Sequence, residues 1–321
     1  MIVITGAAGF IGSCLAGKLN REGHGDLVLV DDFASPEKMK NLAGKQFRKQ
    51  VNREAFFEWF KQNHHHVSFV FHLGARTNTA EQNKAIFDRL NLQYSKSVWE
   101  ACTVYGVPLV YASSAATYGA GEHGYADNHE LIAQLKPLNP YGKSKHSFDK
   151  WALQQATQPP YWAGLKFFNV YGPNEYHKKR MASAILHLFR EADTRGEVSL
   201  FRSHRENIAH GEQRRDFIYS KDVVNVCYFM MTQQPAPGIY NLGTGRASSF
   251  LELAEAIFEA IGKKSQINFI DTPENIRDNY QYYTQASMDK LLLAGYSEKF
   301  YSLKEGIYDY INHYLKRSAY Y

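Results

Sequence analysis

The stretch "IVITGAAGFIGSCLAGKLNREG", residues 2–23, decides the fold. Ile2 to Thr5 is a β-branched run and reads as a strand. Gly6, Gly9 and Gly12 follow at three-residue spacing, and the residues after them repeat with helical periodicity until Gly23 stops them. Glycines between a strand and a helix permit a tight turn, close approach of the backbone to a pyrophosphate, and close helix–strand packing. The helix N-terminus then faces the phosphates with free N–H groups. The spacing differs from the commoner G-x-G-x-x-G, so the strand–turn–helix context carries the reading more than the motif does.

Working outward, "DLVLVD" (26–31), "VSFVFHLGA" (67–75), "PLVYASS" (108–114) and "WAGLKFFNV" (162–170) are further apolar runs. Helical patterns at 53–63, 85–106 and 140–156 alternate with them. Near-continuous apolar strands separated by helices imply a parallel sheet covered on both faces. Right-handed crossovers make it an α/β doubly wound sheet of the Rossmann type. Residues 1–171 form this NAD(P)-binding domain, and 172–321 form mainly a smaller substrate lobe, with about 216–245 returning to the first domain. In the lobe, helices are expected at 181–194, 222–232, 249–261 and 303–316, and short strands at 198–201, 216–219, 238–241 and 266–270.

The second strand ends at Asp31, where a carboxylate is placed to bind a ribose. That favours NAD. Lys38 and Arg53 follow on nearby elements and read either as cover for a 2′-phosphate or as solvated loop charges; NADP is the expected cofactor, with NAD possible.

Composition bounds the rest. The chain has 321 residues, 44% hydrophobic, which is ample for a sizeable core. A net charge of +5 without a basic run suits an anionic small molecule and argues against nucleic acid. Cys14, Cys102 and Cys227 are far apart with no C-x-x-C pair; two fall in helix-like segments and read as buried, and the pattern suits a reducing compartment. No apolar run reaches membrane-span length and no leader is legible, so a soluble cytoplasmic protein is expected. "HHH" (64–66) reads as surface, and no metal site is expected.

Tyr141 and Lys145 stand four apart on one helix and share a face. Upstream, "YASSAATYG" (111–119) sets Ser114 and Thr117 just past the fourth strand, at the sheet edge where ligands bind. A phenol is a poor base at neutral pH unless nearby cations lower its pKa; a lysine and an oxidised nicotinamide would do so. Ser114 or Thr117 would hydrogen-bond the reacting oxygen. A third feature is the turn "FNVYGPNEYHKKRMAS" (168–183) after the fifth strand. Its basic residues read three ways: a solvated surface, a phosphate clamp, or a second acid/base.

"TGAAGFIG", "YASSAATYG", "PYGKSK" and "FNVYGPN" together resemble the extended short-chain dehydrogenase/reductases acting on nucleotide sugars, over nearly the whole chain. Dehydratases of that group carry an acidic pair after the turn threonine; here Tyr118 and Gly119 follow Thr117, which disfavours dehydration. The basic turn, with "RRDFIY" (214–219), "YNLGTGRASSF" (240–250) and "YQYYTQAS" (280–287), is similar to the ADP-L-glycero-D-manno-heptose 6-epimerase family. That resemblance implies a nucleotide-sugar epimerase, inverting C6″ of an ADP-activated heptose by oxidation and re-reduction for lipopolysaccharide core precursors. It implies Tyr141 and Lys178 as two bases, with Lys145 and Ser114 in support. It implies substrate contacts from Ser114, Asn169, Lys178, Arg180, His187, Phe201, Arg215 and Tyr280. The cofactor set is Gly6, Gly9, Phe10, Ile11, Gly12, Asp31, Asp32, Lys38, Arg53, Ala75, Asn91, Lys145 and Val170. A homo-oligomer, pentameric by the same resemblance, is the implied assembly. Tyr176, Lys179 and Arg180 depart from the family's small residues beside the lysine, and "RENIAHGEQ" (205–213) lengthens the loop before Arg215. The alternative enzyme is a UDP-hexose 4-epimerase with one tyrosine base; a different class is a non-catalytic NAD(P)-binding regulator.

Overall fold

The structure is a computed structural model that describes residues 1–79, 81–277 and 280–321. Strands β1 (Ile2–Thr5), β2 (Leu27–Asp31), β3 (Lys49–Asn52), β4 (Phe69–His72), β5 (Leu109–Ser114) and β6 (Trp162–Phe167) build a parallel sheet. A seventh strand, Gly238–Leu242, closes its far edge beside β6. The order from the edge is 3-2-1-4-5-6, so the chain reverses direction across the sheet between β1 and β4. Ligands bind at such a switch point, outside the carboxyl ends of the strands.

The main helices are α1 (Phe10–Arg21), α2 (Phe56–Asn63), α3 (Tyr94–Val104), α4 (Pro140–Leu153), α5 (Ala184–Arg195), α6 (Ser220–Gln233), α7 (Phe250–Ile261) and α8 (Leu303–His313). The Rossmann expectation holds. Two apolar clusters form: one around the seven-stranded sheet, the other among α5, α7, α8 and the short strands Val198–Phe201 and Arg214–Tyr219. Val198–Phe201 pairs in parallel with Ile267–Ile270.

Among the elements that differ from the sequence reading, three lie in the strand-and-helix frame of the sheet. Strand β3, "KQVN", was not anticipated: only Val51 is buried, because β3 is an edge strand pairing with β2 alone. The run 162–170 is two strands. The chain leaves the sheet at Phe168, whose N–H donates to the Leu242 carbonyl, and Asn169–Tyr171 pairs instead with Phe217–Tyr219. The long helix 85–106 is an α turn (Lys84–Phe87), a π-helical segment (Asp88–Gln93) and α3. Such π segments frequently mark functional sites.

Candidate functional site

The glycine loop is a cradle of fixed shape. Gly6 has φ of +68°, and a side chain there would meet the Gly74 backbone at 2.6 Å. A Cβ on Gly12 would lie 2.2 Å from the Gly6 carbonyl oxygen, so only glycine lets α1 seat against the loop. Gly9 differs: its Cβ would touch only the Gly6 carbonyl, at 3.0 Å and beyond. Its other side is open, at the N-cap of α1, beside the first N–H groups of the helix. A pyrophosphate fits there.

Asp31 ends β2, buried, and accepts hydrogen bonds from the Ala8 and Asp32 N–H groups. Lys38 is paired to Asp31 at 2.5 Å and reaches Asp32 at 3.5 Å; Arg53 lies 3.3 Å from Asp32. Two cations thus answer the two carboxylates at the strand edge. Burial pushes the Asp32 carboxyl up, but Lys38, the Ala34 N–H and Arg53 outweigh it and leave it below the ordinary range.

Tyr141 and Lys145 lie on α4, capped by Asn139 with Pro140 at its first turn. Lys145 is 4% exposed and donates to the Ala112 carbonyl on β5 at 2.8 Å. Burial pulls its ammonium down to about 8, against the opposing pull of Asp149. Burial leaves the Tyr141 phenol above its ordinary value; the hydrogen bond with the Ser114 hydroxyl offsets only part of that, and Asp149 adds to the rise. Thr117 is not available for a reacting oxygen. It is fully buried, donates to the Ser114 carbonyl at 2.8 Å and accepts from Lys166 at 2.6 Å. Ser114 is the hydroxyl of the pair that faces Tyr141: it accepts from Ala116 N–H and hydrogen-bonds the Tyr141 phenol.

Behind this row lies a buried network that sequence reasoning missed. Asp149 accepts from Tyr111 (3.1 Å), Ser113 (2.7 Å) and Lys166 (2.8 Å), and both ions are fully buried. Asp149 lies four residues beyond Lys145 on the same helix, and that spacing was the available signal.

Asn91 sits in the π-helical segment with both ends of its amide engaged. Its oxygen accepts from Arg76 N–H, and its nitrogen donates to the Arg76 carbonyl and the Ser144 hydroxyl. It stitches the loop after β4, where Ala75 sits, to α4. Val170 is half-buried and Asn169 exposed, just beyond the end of β6.

The basic turn splits by role. Tyr176–Met181 is a short 3-10 segment in which Lys179 breaks from helical geometry at φ +51°, ψ −124°. The expected helix therefore starts late, at α5, capped by Ser183. Lys179 and Arg180 are exposed; Lys179 is 76% exposed and reaches Glu37 only at 3.9 Å. Lys178 is half-buried, with its ammonium 5.3 Å from the centre of the Phe10 ring. Burial lowers its pKa, and Glu175 opposes that. Glu175, fully buried, accepts from Ser183 N–H, Ser183 hydroxyl and Tyr310.

In the smaller lobe, Arg215 is 8% exposed and lies 5.4 Å from the Tyr280 ring and 5.9 Å from that of Phe250. Tyr280 meets Phe201 edge-on at 6.2 Å. Those three expected residues are together. His187, half-buried on α5, and Arg180 make no hydrogen bond, ion pair or ring contact with them among the described residues. Asp216, next to Arg215 and unnoticed in the sequence, holds Thr244, Gly245 and Ala286 by backbone hydrogen bonds.

Residues 2–243 match the NAD dependent epimerase/dehydratase family. The chain belongs to that family. It is thus an epimerase-type, NAD-dependent enzyme with the short-chain dehydrogenase/reductase fold. Its curated relatives include the ADP-L-glycero-D-manno-heptose-6-epimerases of Fusobacterium nucleatum, 42% identical over 99% of this chain and 98% of that one, and of Nitratidesulfovibrio vulgaris, 41% identical over 98% of each. Among solved structures, the Helicobacter pylori enzyme of the same name superposes with a TM-score of 0.80 at 30% identity, over 97% of this chain and 95% of that chain. The UDP-glucose 4-epimerase of Thermus thermophilus in complex with NAD gives 0.76 at 26%, covering 97% and 98%. The resemblance read from the sequence motifs therefore stands. Among the described residues no helix is long and apolar enough to cross a membrane.

Proposed function

We propose that the protein inverts C6″ of an ADP-activated glycero-manno-heptose by transient oxidation and reduction at that carbon. The observation that carries this reading is Lys178, desolvated above Phe10 at the glycine loop while its neighbours Lys179 and Arg180 face solvent. A second, partly buried base has no use in a one-base mechanism. The names of the relatives above support the choice of sugar.

NADP, which the glycine loop, Asp31, Lys38 and Arg53 would hold, would supply a reversible hydride acceptor, so net redox would be zero. On that reading Tyr141 accepts the hydroxyl proton as the alcohol becomes a ketone. Ser114 donates to the reacting oxygen, and Lys145 holds the phenolate by charge. After the ketone turns, Lys178 donates the proton on the other side. Lys38 and Arg53 leave the strand edge tolerant of a 2′-phosphate, the basis for preferring NADP. The Phe201–Tyr280–Arg215 group presents aromatic faces and a guanidinium suited to a nucleoside diphosphate. Asn169, Arg180 and His187 complete the proposed substrate set. We assign the reaction to the cytoplasm and to a homo-oligomer; sedimentation of the purified protein tests the pentamer.

The test is incubation with ADP-D-glycero-D-manno-heptose, followed by NMR of the C6″ configuration. Conversion toward the L-glycero epimer without added oxidant is the expected result. No change with this sugar, together with turnover of a UDP-hexose at C4, would replace the reading by a 4-epimerase.

A further inference from the structure

The turn that carries Lys178 is fastened from two sides, and its fastening does not use the glycine loop alone. On one side the Tyr176 hydroxyl lies 3.1 Å from the Ala319 carbonyl and 3.3 Å from the Tyr314 carbonyl, its one proton shared between the two acceptors. Its ring meets Tyr320 edge-on at 5.3 Å. Residues 319–321 are in turn held by the first domain: Lys45 donates to the Tyr321 carbonyl at 2.6 Å, and the Arg21 guanidinium lies 3.9 Å from the Tyr321 ring.

On the other side, His177 Nδ1 lies 3.2 Å from the Asn41 amide nitrogen, which also donates to the Ala8 carbonyl in the glycine loop. Lys45 donates to the Asn41 carbonyl as well, at 2.6 Å. The contacts close into a ring: Tyr176, the 319–321 segment, Lys45, Asn41, His177. Lys178 is the next residue out of that ring, and Lys179 follows in a backbone conformation that favours glycine. A strained residue persists only where its surroundings over-determine it. Here the fixed points on the upstream side are Tyr176 and His177.

We propose that Tyr176 is a positioning residue for Lys178: its phenol, pinned to the Ala319 and Tyr314 carbonyls, keeps the Lys178 turn in register with the glycine loop. The proposal rests on the reading of Lys178 as the second base. A bland alternative is that Tyr176 only fills space. Its hydroxyl would then be dispensable, because the half-buried ring packs without it.

Four proteins decide the matter: wild type, Tyr176→Phe, Lys178→Met and the double variant. Misplacement of a catalytic group by about 1 Å costs up to roughly a hundredfold in rate. Tyr176→Phe is therefore expected to lower kcat by roughly tenfold to a hundredfold while KM stays within about twofold. Amide hydrogen exchange should speed up across 174–183 and stay unchanged across 141–153. Because the two residues act as one unit, the double variant should be no slower than Lys178→Met alone, within about twofold. Tyr176→Phe with wild-type kcat and exchange, or losses that multiply in the double variant, overturns the proposal. Full activity in Lys178→Met overturns the second-base reading itself, and the catalytic role of Tyr176 falls with it. A large loss in Lys178→Met beside an unaffected Tyr176→Phe overturns only the positioning role.

Discussion

The Lys178 ammonium stands 5.3 Å from the centre of the Phe10 ring, the first residue of α1. A residue of the basic turn and the residue that opens the helix after the glycine loop are thereby neighbours, although they are far apart in the chain. This contact separates Lys178 from the adjacent Lys179 and Arg180, which look outward.

The glycine cradle makes a paired prediction. Gly9→Val should still fold, at some cost in stability because its Cβ would press on the Gly6 carbonyl at 3.0 Å, yet it should abolish cofactor retention by occupying the open side. Gly12→Val should unfold or strongly destabilise the protein, because its Cβ would stand 2.2 Å from a backbone oxygen. Thermal melts and cofactor content of the two purified variants check this. Cofactor retained in Gly9→Val would refute it.

The proposed preference for NADP rests on Lys38, paired to Asp31 and near Asp32. Removing it by Lys38→Ala leaves Asp31 and Asp32 less compensated and a 2′-phosphate repelled. NADP affinity should fall by roughly tenfold, the equivalent of about 1.4 kcal/mol, with NAD affinity little changed or improved. Titration of cofactor-free protein with both dinucleotides measures the ratio, and an unchanged ratio would remove Lys38 from the site.

The pH profile should carry a basic limb. Lys145 has its pKa lowered from 10.5 to about 8, so its ammonium is present below that value and lost as pH rises through it. Activity that needs this charge should fall above about pH 8. The stability consequence has the opposite sign: between 8 and 10.5 the unfolded chain holds a proton that the folded chain has released, so this group adds stability as pH rises there. Asp149 raises the Lys145 value, so Asp149→Asn should move the limb to lower pH.

Asp149→Asn should also be costly to the fold. It leaves the fully buried Lys166 without its anion, and breaking one side of a buried pair typically costs about 3–5 kcal/mol. The double change Asp149→Asn, Lys166→Met should recover part of that loss in denaturant melts. A single variant as stable as wild type would show the pair to be dispensable.

Much of this was legible in the sequence because the physics was local. The glycine loop, the capped helix with Tyr141 and Lys145, and the apolar strands each announce themselves within about ten residues. What was hidden is what depends on contacts between distant segments. Edge strand β3 carries one buried residue and so no pattern. Thr117 looked like a free hydroxyl until Lys166, 49 positions away, was found against it. The Asn41 link between Ala8 and His177 joins three segments, and no periodicity encodes it.

The most direct test of the account is a kinetic comparison of Lys178→Met with Lys179→Met. General acid–base groups contribute roughly 10²–10⁴ in rate. The account requires Lys178→Met to lose epimerisation by about that factor in kcat, with cofactor still bound, and Lys179→Met to keep nearly all of its turnover. Equal losses in the two variants, or a Lys178 effect confined to KM, would contradict it and make this turn a phosphate clamp.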